Sequence, residues 1–160
     1  MNELELEEGI VSVKMKVITV TNEQDLQKCL KIRTEVFVKE QGVAEEQEVD
    51  DYDQSPDSCI HFLLLNEEGY PIGASRMKPY ETEGVKLQRI AVLQKERGKG
   101  LGRLLLNAME QKAVGEQAKY AVLDAQVQAV PFYSKQGYIV SSKIPFYDAG
   151  IEHLQMRKQL

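Results

Sequence analysis

Cysteine and histidine are scarce in this chain: its 160 residues hold two of each, Cys29 and Cys59, His61 and His153. Two thiols cannot build a multi-disulfide scaffold, and two histidines so far apart do not suggest a metal site by spacing. No metal is expected. Both cysteines lie inside apolar stretches and read as reduced core thiols of a cytoplasmic protein, in keeping with the lack of a recognisable signal peptide. Long hydrophobic runs are missing too: Ile60–Leu65 is among the longest, far short of the roughly 20 residues that span a bilayer. No membrane span is expected. Nor is there a surplus of positive charge. Lys and Arg number 20 against 25 Asp and Glu, for a net charge of −5, whereas a chain whose main task is nucleic-acid binding would be basic. Repeats, linkers and low-complexity tracts are absent.

What is present reads as an ordinary globular composition, 42% apolar and 28% charged. A chain of this length forms one domain, large enough to bury roughly two-thirds of its unfolded surface. Residues 1–12 read as a flexible acidic arm and 13–160 as the single domain. Residues 14–20 alternate as a first strand. Thr21 with Gln24 reads as a capping box opening a first helix. Its apolar stripe carries Leu26, Cys29, Leu30, Val36 and Phe37, and Arg33 falls on that stripe, where an unpaired guanidinium would be costly. Strands are expected at 60–65, from about 70 through 77, at 85–93, 120–125, 138–142 and 151–157. Helices are expected at 99–114, closed by Gly115, and at about 129–136, with Pro131 in its first turn and Gly137 as terminator. The order implies an α/β (α+β) fold with a mostly antiparallel sheet and helices on its faces.

The most informative stretch is Arg97-Gly98-Lys99-Gly100-Leu101-Gly102-Arg103. Glycines allow a tight turn and close approach to the main chain. A helix N-terminus with unpartnered N–H groups and nearby Arg and Lys is a natural phosphate site. Neither the P-loop pattern nor G-x-G-x-x-G fits these glycines. Arg97-x-x-Gly100-x-Gly102 does fit the Q/R-x-x-G-x-G/A signature. It resembles that of the GCN5-related N-acetyltransferase (GNAT) superfamily, where this turn cradles the pyrophosphate of acetyl-CoA. A second segment, Gln126-x-x-Ala129-x-x-x-Tyr133-x-Lys135-x-Gly137-Tyr138, resembles the superfamily's Asn-x-x-Ala-x-x-x-Tyr-x-Lys-x-Gly-Phe, with Gln126 in place of the usual Asn. A third runs Arg33-x-x-Val36-Phe37-Val38-x-Glu40-Gln41, followed by Glu48, Asp50, Asp53 and His61. With residues 129–133 and 148–156, it is similar to the ElaA/YjcF-like subfamily.

The resemblance implies a GNAT fold, a central mixed sheet of six to seven strands flanked by about four helices. It implies an acetyl-CoA-dependent N-acetyltransferase that transfers directly to a primary amine in a ternary complex, with no metal. Ile90, Ala91 and Val92 would pair with the pantetheine arm. Arg97, Gly98, Lys99, Gly100, Leu101, Gly102 and Arg103 would hold the pyrophosphate, with Gln126 and Phe132 also against the cofactor. Tyr133 would be the catalytic acid that protonates the departing thiolate. The competing functional class is an acyl-CoA-binding module with little turnover; an acyl-homoserine-lactone-type synthase ranks below it. Monomer and homodimer are both compatible.

Some questions stay open in the sequence. Residues 40–57 hold eight carboxylates and no Lys or Arg. They read either as a solvated loop or as a lure for a cationic amine, and Pro56 and Phe62 break the calcium-loop pattern that Asp51 and Asp53 begin. Glu40, Asp50, His61 and water alone are the candidates for general base. His61 and His153 otherwise default to satisfied core histidines. A nucleophilic Cys59 is disfavoured by its carboxylate neighbour Asp57.

Overall fold

The structure, a computed structural model, describes residues 2–8, 11–142 and 144–160, with side chains from residue 14 onward. It comprises nine strands and four α-helices among these residues, a mixed α+β architecture around a mostly antiparallel sheet, as expected. By their internal contacts the residues group into two compact units. One is Met1–Arg76 with Arg89–Ala108, the other Met77–Gln88 with Met109–Leu160.

The first unit holds β1 (Asn2–Glu8), β2 (Val11–Thr19) and β3 (Ile60–Leu65), together with most of β4 (Pro71–Tyr80) and the end of β5 (Gly84–Val92). Their order is β1-β2-β3-β4-β5. β2 pairs antiparallel with β3 from Lys16↔Leu65 to Thr19↔Phe62. Asn2–Glu8 pairs antiparallel with β2, where the sequence reading expected a flexible arm. The signal for a strand is the alternation of Leu4 and Leu6 with Glu3, Glu5 and Glu7, which is a period of two despite the high charge. Residues 1, 9 and 10 of that arm lie outside the described residues.

Helix α1 (Glu23–Arg33) starts one residue later than expected. Its N-cap is Asn22, whose side chain accepts from Asp25 N, because an Asn oxygen caps at least as well as a Thr hydroxyl. The apolar stripe continues past Arg33 through a π-wound segment, Thr34–Glu40, closed by Gln41 N donating to Val36 O at 3.2 Å. Leu26, Cys29, Ile32 and Val36 bury against Val20, Leu63, Ala74 and Ala91. A short α2 (Glu45–Glu48) and a 3-10 turn (Asp51–Asp53) follow.

The second unit is ordered β4-β5-β6-β9-β7, with β6 at Tyr120–Gln126, β7 at Ile139–Val140 and β9 at Ile151–Gln159. β8 (Phe146–Asp148) also pairs with β9. β5 and β6 run parallel from Gly84↔Tyr120 to Leu87↔Leu123, and β6 and β9 antiparallel from Tyr120↔Gln159 to Gln126↔His153. Helix α3 (Leu101–Gly115) passes from the first unit to the second after Ala108, and its Leu104, Leu105, Ala108, Met109 and Ala113 are buried. Helix α4 (Val130–Lys135) carries proline in its first turn. The strand count exceeds six to seven because of β1 and because residues 138–148 yield two very short strands. No helix among the described residues is long and apolar enough to cross a membrane.

Candidate active site

β5 ends at Val92, and a 3-10 turn, Gln94–Glu96, delivers the chain to Arg97. Gly98 and Gly100 then adopt φ of +82° and +80°, a left-handed geometry that costs an L side chain about 1–2 kcal/mol. A Cβ built on either would meet nothing within 4 Å, so the glycines are required by backbone conformation and leave open space beside it. Leu104 N donates to Gly100 O at 3.2 Å and closes the first turn of α3. Among the described residues, the main-chain N–H groups of 98–103 donate no turn, loop or cap hydrogen bond. Six N–H groups and the positive end of the α3 dipole therefore gather at one open turn.

The side chains around this turn divide sharply. Arg97 donates from Nε to Val92 O at 3.0 Å and from Nη1 and Nη2 to Glu40 at 2.6 and 2.8 Å. It staples the turn to β5 and to the π-wound segment. Lys99 pairs with Glu96 at 2.7 Å. Arg103 is exposed and has no ion-pair partner among the described residues. The set that an anion would meet is thus the main chain plus Arg103, with Arg97 acting as a brace. A phosphate fits here: the donors are free, and the space is open where side chains would otherwise stand.

Ile90, Ala91 and Val92 form the last stretch of β5. Just before them, Arg89 has φ +56°, unusual for a residue that is not glycine, Asn or Asp. Its guanidinium is 2.9 Å from Glu48 Oε2, and its Nη2 lies 3.7 Å from Asp50. Glu48 is also bound by Arg33 Nε at 3.1 Å. Arg33 further grips both Asp53 oxygens at 2.6 and 2.9 Å and the Glu48 carbonyl at 2.8 Å. Arg76 completes the set with two bonds to Asp50 at 2.7 and 2.8 Å and one to Asp53 at 3.0 Å. Three guanidinium groups and three carboxylates interlock between α1, the acidic loop, β4 and the end of β5.

This network answers two questions left by the sequence. Arg33 is buried because its donors are satisfied, as the cost of an unpaired charge demands. The acidic loop is neither simply solvated nor free to attract an amine. Glu48 and Asp53 are buried counter-charges, 3% and 4% exposed, while Glu45, Glu46, Asp51 and Asp57 face water. Burial pushes the Asp53 carboxyl up, but its hydrogen bonds to Arg33 and the attraction of Arg33 and Arg76 overcome this and hold it well below its ordinary value. Glu48 goes the other way: burial outweighs Arg33 and Arg89 and raises it. Sequence reasoning missed Arg76 and Arg89 as partners. The available signal was one arginine in each of two strand runs, at Arg76 beside the apolar Met77 and at Arg89 beside Ile90.

The three residues named as candidate bases are all committed elsewhere. Glu40 is held below its ordinary value by its hydrogen bonds to Arg97. Asp50 is also lowered, its burial outweighed by the hydrogen bonds and charge of Arg76. His61 is 1% exposed, and burial lowers its proton affinity. Its Nε2 lies 3.0 Å from Tyr52 O and 3.4 Å from Cys59 Sγ, while Nδ1 is buried without a partner. It is a core histidine, as expected, but an incompletely satisfied one. Burial pushes the Cys59 thiol up to about 11, which removes it as a nucleophile near neutral pH. Among the described residues, no group of three or more His, Cys, Asp or Glu could hold a metal ion.

In the second unit, Gln126 ends β6 and its Oε1 accepts from Gln128 Nε2 at 2.6 Å. Tyr133, on α4, packs edge-on against Phe132 and Tyr138 with ring centroids 5.1 and 6.0 Å away. Its hydroxyl makes no hydrogen bond among the described residues, and burial pushes it up to about 12. It stays protonated at neutral pH, the state an acid requires. Tyr138 differs, donating to Glu110 Oε2 at 2.8 Å, with Lys158 on the same carboxylate at 2.9 Å. The structure thus brings Ile90–Val92 and the Arg97–Arg103 turn together in one unit, and Gln126, Phe132 and Tyr133 in the other.

Comparison with known proteins accords with this geometry. The acetyltransferase (GNAT) domain family matches residues 20–160. An uncharacterized N-acetyltransferase of Bacillus subtilis (strain 168), YjcF, is 42% identical over 144 residues, 90% of this chain and 99% of that protein. A putative acetyltransferase of the same organism is 39% identical, over 91% and 97% of the two chains. Among solved structures, a putative N-acetyltransferase from Lactobacillus plantarum superposes with a TM-score of 0.82 at 29% identity, covering 91% of this chain and 98% of that one. Escherichia coli ElaA gives 0.77 at 22% identity, covering 91% and 99%.

Proposed function

The chain belongs to the GNAT acetyltransferase family, in its ElaA/YjcF-like branch, and on that premise we propose that this acyltransferase moves an acetyl group from acetyl-CoA to a primary amine. Transfer is direct, within a ternary complex, so the two reactants need chiefly to be positioned. The observation that carries the reading is the Arg97–Arg103 turn: two left-handed glycines, unbonded N–H groups and open space at a helix start.

In this mechanism the main-chain N–H groups of 98–103 and Arg103 hold the donor's pyrophosphate. Arg97, bonded to Glu40 and Val92 O, keeps the turn in shape. The main chain of Ile90, Ala91 and Val92 pairs with the pantetheine arm, and Gln126 and Phe132 border it. An N–H directed at the thioester oxygen stabilises the charge that develops there. The amine nitrogen attacks the thioester carbon and gives up one N–H proton, and the C–S bond breaks. The Tyr133 hydroxyl gives its proton to the sulfur and is reprotonated through solvent, so that one proton moves in net from amine to thiol. No acyl-enzyme forms, consistent with a Cys59 thiol that stays protonated near neutral pH. Residues 13–160 act as one acetyltransferase domain. The free thiols of Cys29 and Cys59 suit the cytoplasm, and the protein works as a monomer or homodimer.

The test is thiol release from acetyl-CoA with a panel of primary amines, for the wild type and Tyr133→Phe. The variant is expected to lose about a hundredfold or more in kcat while acetyl-CoA affinity by calorimetry is kept. Unchanged kcat removes Tyr133 from the chemistry. A wild type that releases no thiol with any amine sinks the transferase reading.

A further inference from the structure

His153, set aside in the sequence as a core residue, has the features the named base candidates lack. The β6–β9 register places it opposite Gln126, and the β8–β9 register places it opposite Phe146. Residues paired across neighbouring strands share a face, with Cβ atoms about 5 Å apart. His153, Gln126 and Phe146 therefore lie side by side on one face of the second unit. The next pair on that face is Asp124 and Gln155.

The protonation pattern of the ring follows from one contact. Nδ1 lies 2.7 Å from the Ile151 carbonyl oxygen. A carbonyl can only accept, so Nδ1 carries the hydrogen, and the neutral ring keeps its lone pair on Nε2. The residue is 9% exposed, and its ring is stacked on Phe146, centroids 5.9 Å apart and planes 21° apart. Among the described residues nothing donates a hydrogen bond to Nε2. An imidazole fixed in orientation and tautomer, with an unused basic nitrogen, is built to take a proton.

We propose that His153 is the general base of the transfer, its Nε2 contacting the acceptor amine directly. The proposal rests on the acetyltransferase reading above, in which Gln126 borders the acyl-CoA. As the amine nitrogen forms its bond to the thioester carbon, Nε2 takes one N–H proton and becomes imidazolium. The C–S bond breaks, the thiolate takes the Tyr133 proton, and the proton held by His153 passes through solvent to restore the Tyr133 hydroxyl. The products are an amide and CoA thiol. Charged groups on the same face are Asp124 of β6, which pairs with Lys86 of β5 at 2.9 Å, and Arg157 of β9. β8 brings Tyr147 and Asp148, β9 adds Glu152 and α4 adds Tyr133 and Lys135, while β7 and the turn after β6 bring no titratable group. Asp124 Oδ1 is buried without a partner, although Oδ2 pairs with Lys86.

The variant to measure is His153→Asn, whose Nδ2 can still donate to the Ile151 carbonyl but offers no basic nitrogen. With acetyl-CoA and spermidine, glucosamine, phenethylamine and a lysine peptide as acceptors, kcat is expected to fall by about 10²–10⁴-fold. The acidic limb of the kcat profile should disappear while acetyl-CoA affinity and thermal midpoint are kept. In His153→Ala, added imidazole should restore turnover. Wild-type kcat with its acidic limb intact in His153→Asn overturns the proposal. So does a loss of acetyl-CoA affinity in step with kcat, or failure of imidazole to rescue. If the wild type itself releases no thiol with any of these amines, the failure is that of the acetyltransferase reading, and the base falls with it.

Discussion

Gly100 has its left-handed φ and open surroundings for separate reasons, and an alanine there tests both. The methyl group meets no atom, so only backbone strain of about 1–2 kcal/mol opposes it. The same methyl would stand where an anion reaches the N–H groups at the start of α3. Gly100→Ala is expected to lower the thermal midpoint by only a few degrees, yet to weaken acetyl-CoA binding about tenfold or more, read by calorimetry. An affinity that survives the substitution would place the donor elsewhere. Arg97 shows how a motif residue can be legible while its role is not. The pattern singles it out, but its side chain braces the turn through Glu40, 57 positions away in sequence, and no local pattern encodes that partner.

At the scale of the element, β5 combines a strand with one residue out of strand conformation. Arg89 stands at φ +56° and reaches back to Glu48. Arg89→Gly and Arg89→Val remove the same guanidinium, so the difference between them isolates the backbone. The valine variant is expected to be less stable by about 1–2 kcal/mol in urea unfolding. Equal losses would mean that the ion pair alone holds the position. Such a kink leaves no trace in the residue types, since arginine in a strand looks the same with φ of either sign. The regular elements were far more legible. Leu101, Leu104, Leu105, Ala108 and Met109 recur at helical spacing, and α3 forms over nearly the expected span, beginning at Leu101 because Gly98 and Gly100 occupy left-handed conformations. Residues 138–142 shrink to a two-residue strand, because only Ile139 and Val140 keep ladder register with β9, while Ser141 and Ser142 both turn onto Gln155. The base was the least legible part. His153 gains meaning only from a cross-strand neighbour 27 residues earlier and from which of its nitrogens is used.

The interlocked charges of the first unit make stability of the whole molecule depend on acid. Asp53, Asp50 and Glu40 all have folded-state values below their ordinary ones. A depressed carboxylate contributes stability that is fully present above its ordinary value and is lost as pH falls through the folded one. Glu48, raised by burial, has the opposite sign: it favours folding at lower pH and offsets part of the loss. Three lowered groups against one raised predict a net fall in urea midpoint as pH drops below about 4. Asp53→Asn should flatten that dependence. It should also destabilise the protein at neutral pH by about 3–5 kcal/mol, since Arg33 and Arg76 lose a shared buried partner. An acid dependence as steep in the variant as in the wild type would refute the assignment.

The same cluster bears on how an acyl-CoA donor first meets the protein. Arg33, Arg76 and Arg89 cancel Glu48, Asp50 and Asp53 charge for charge, so the remainder of the chain carries the entire net −5. A donor bearing several phosphate charges would therefore be repelled at long range, and the proposed attraction at the turn would act only at short range. Dissolved salt shortens that repulsion, to about 8 Å at physiological ionic strength. A cationic molecule would feel the reverse field. By neutralising its own arginines in the interior, the fold leaves an acyl-CoA to be recognised at close range rather than drawn in from afar.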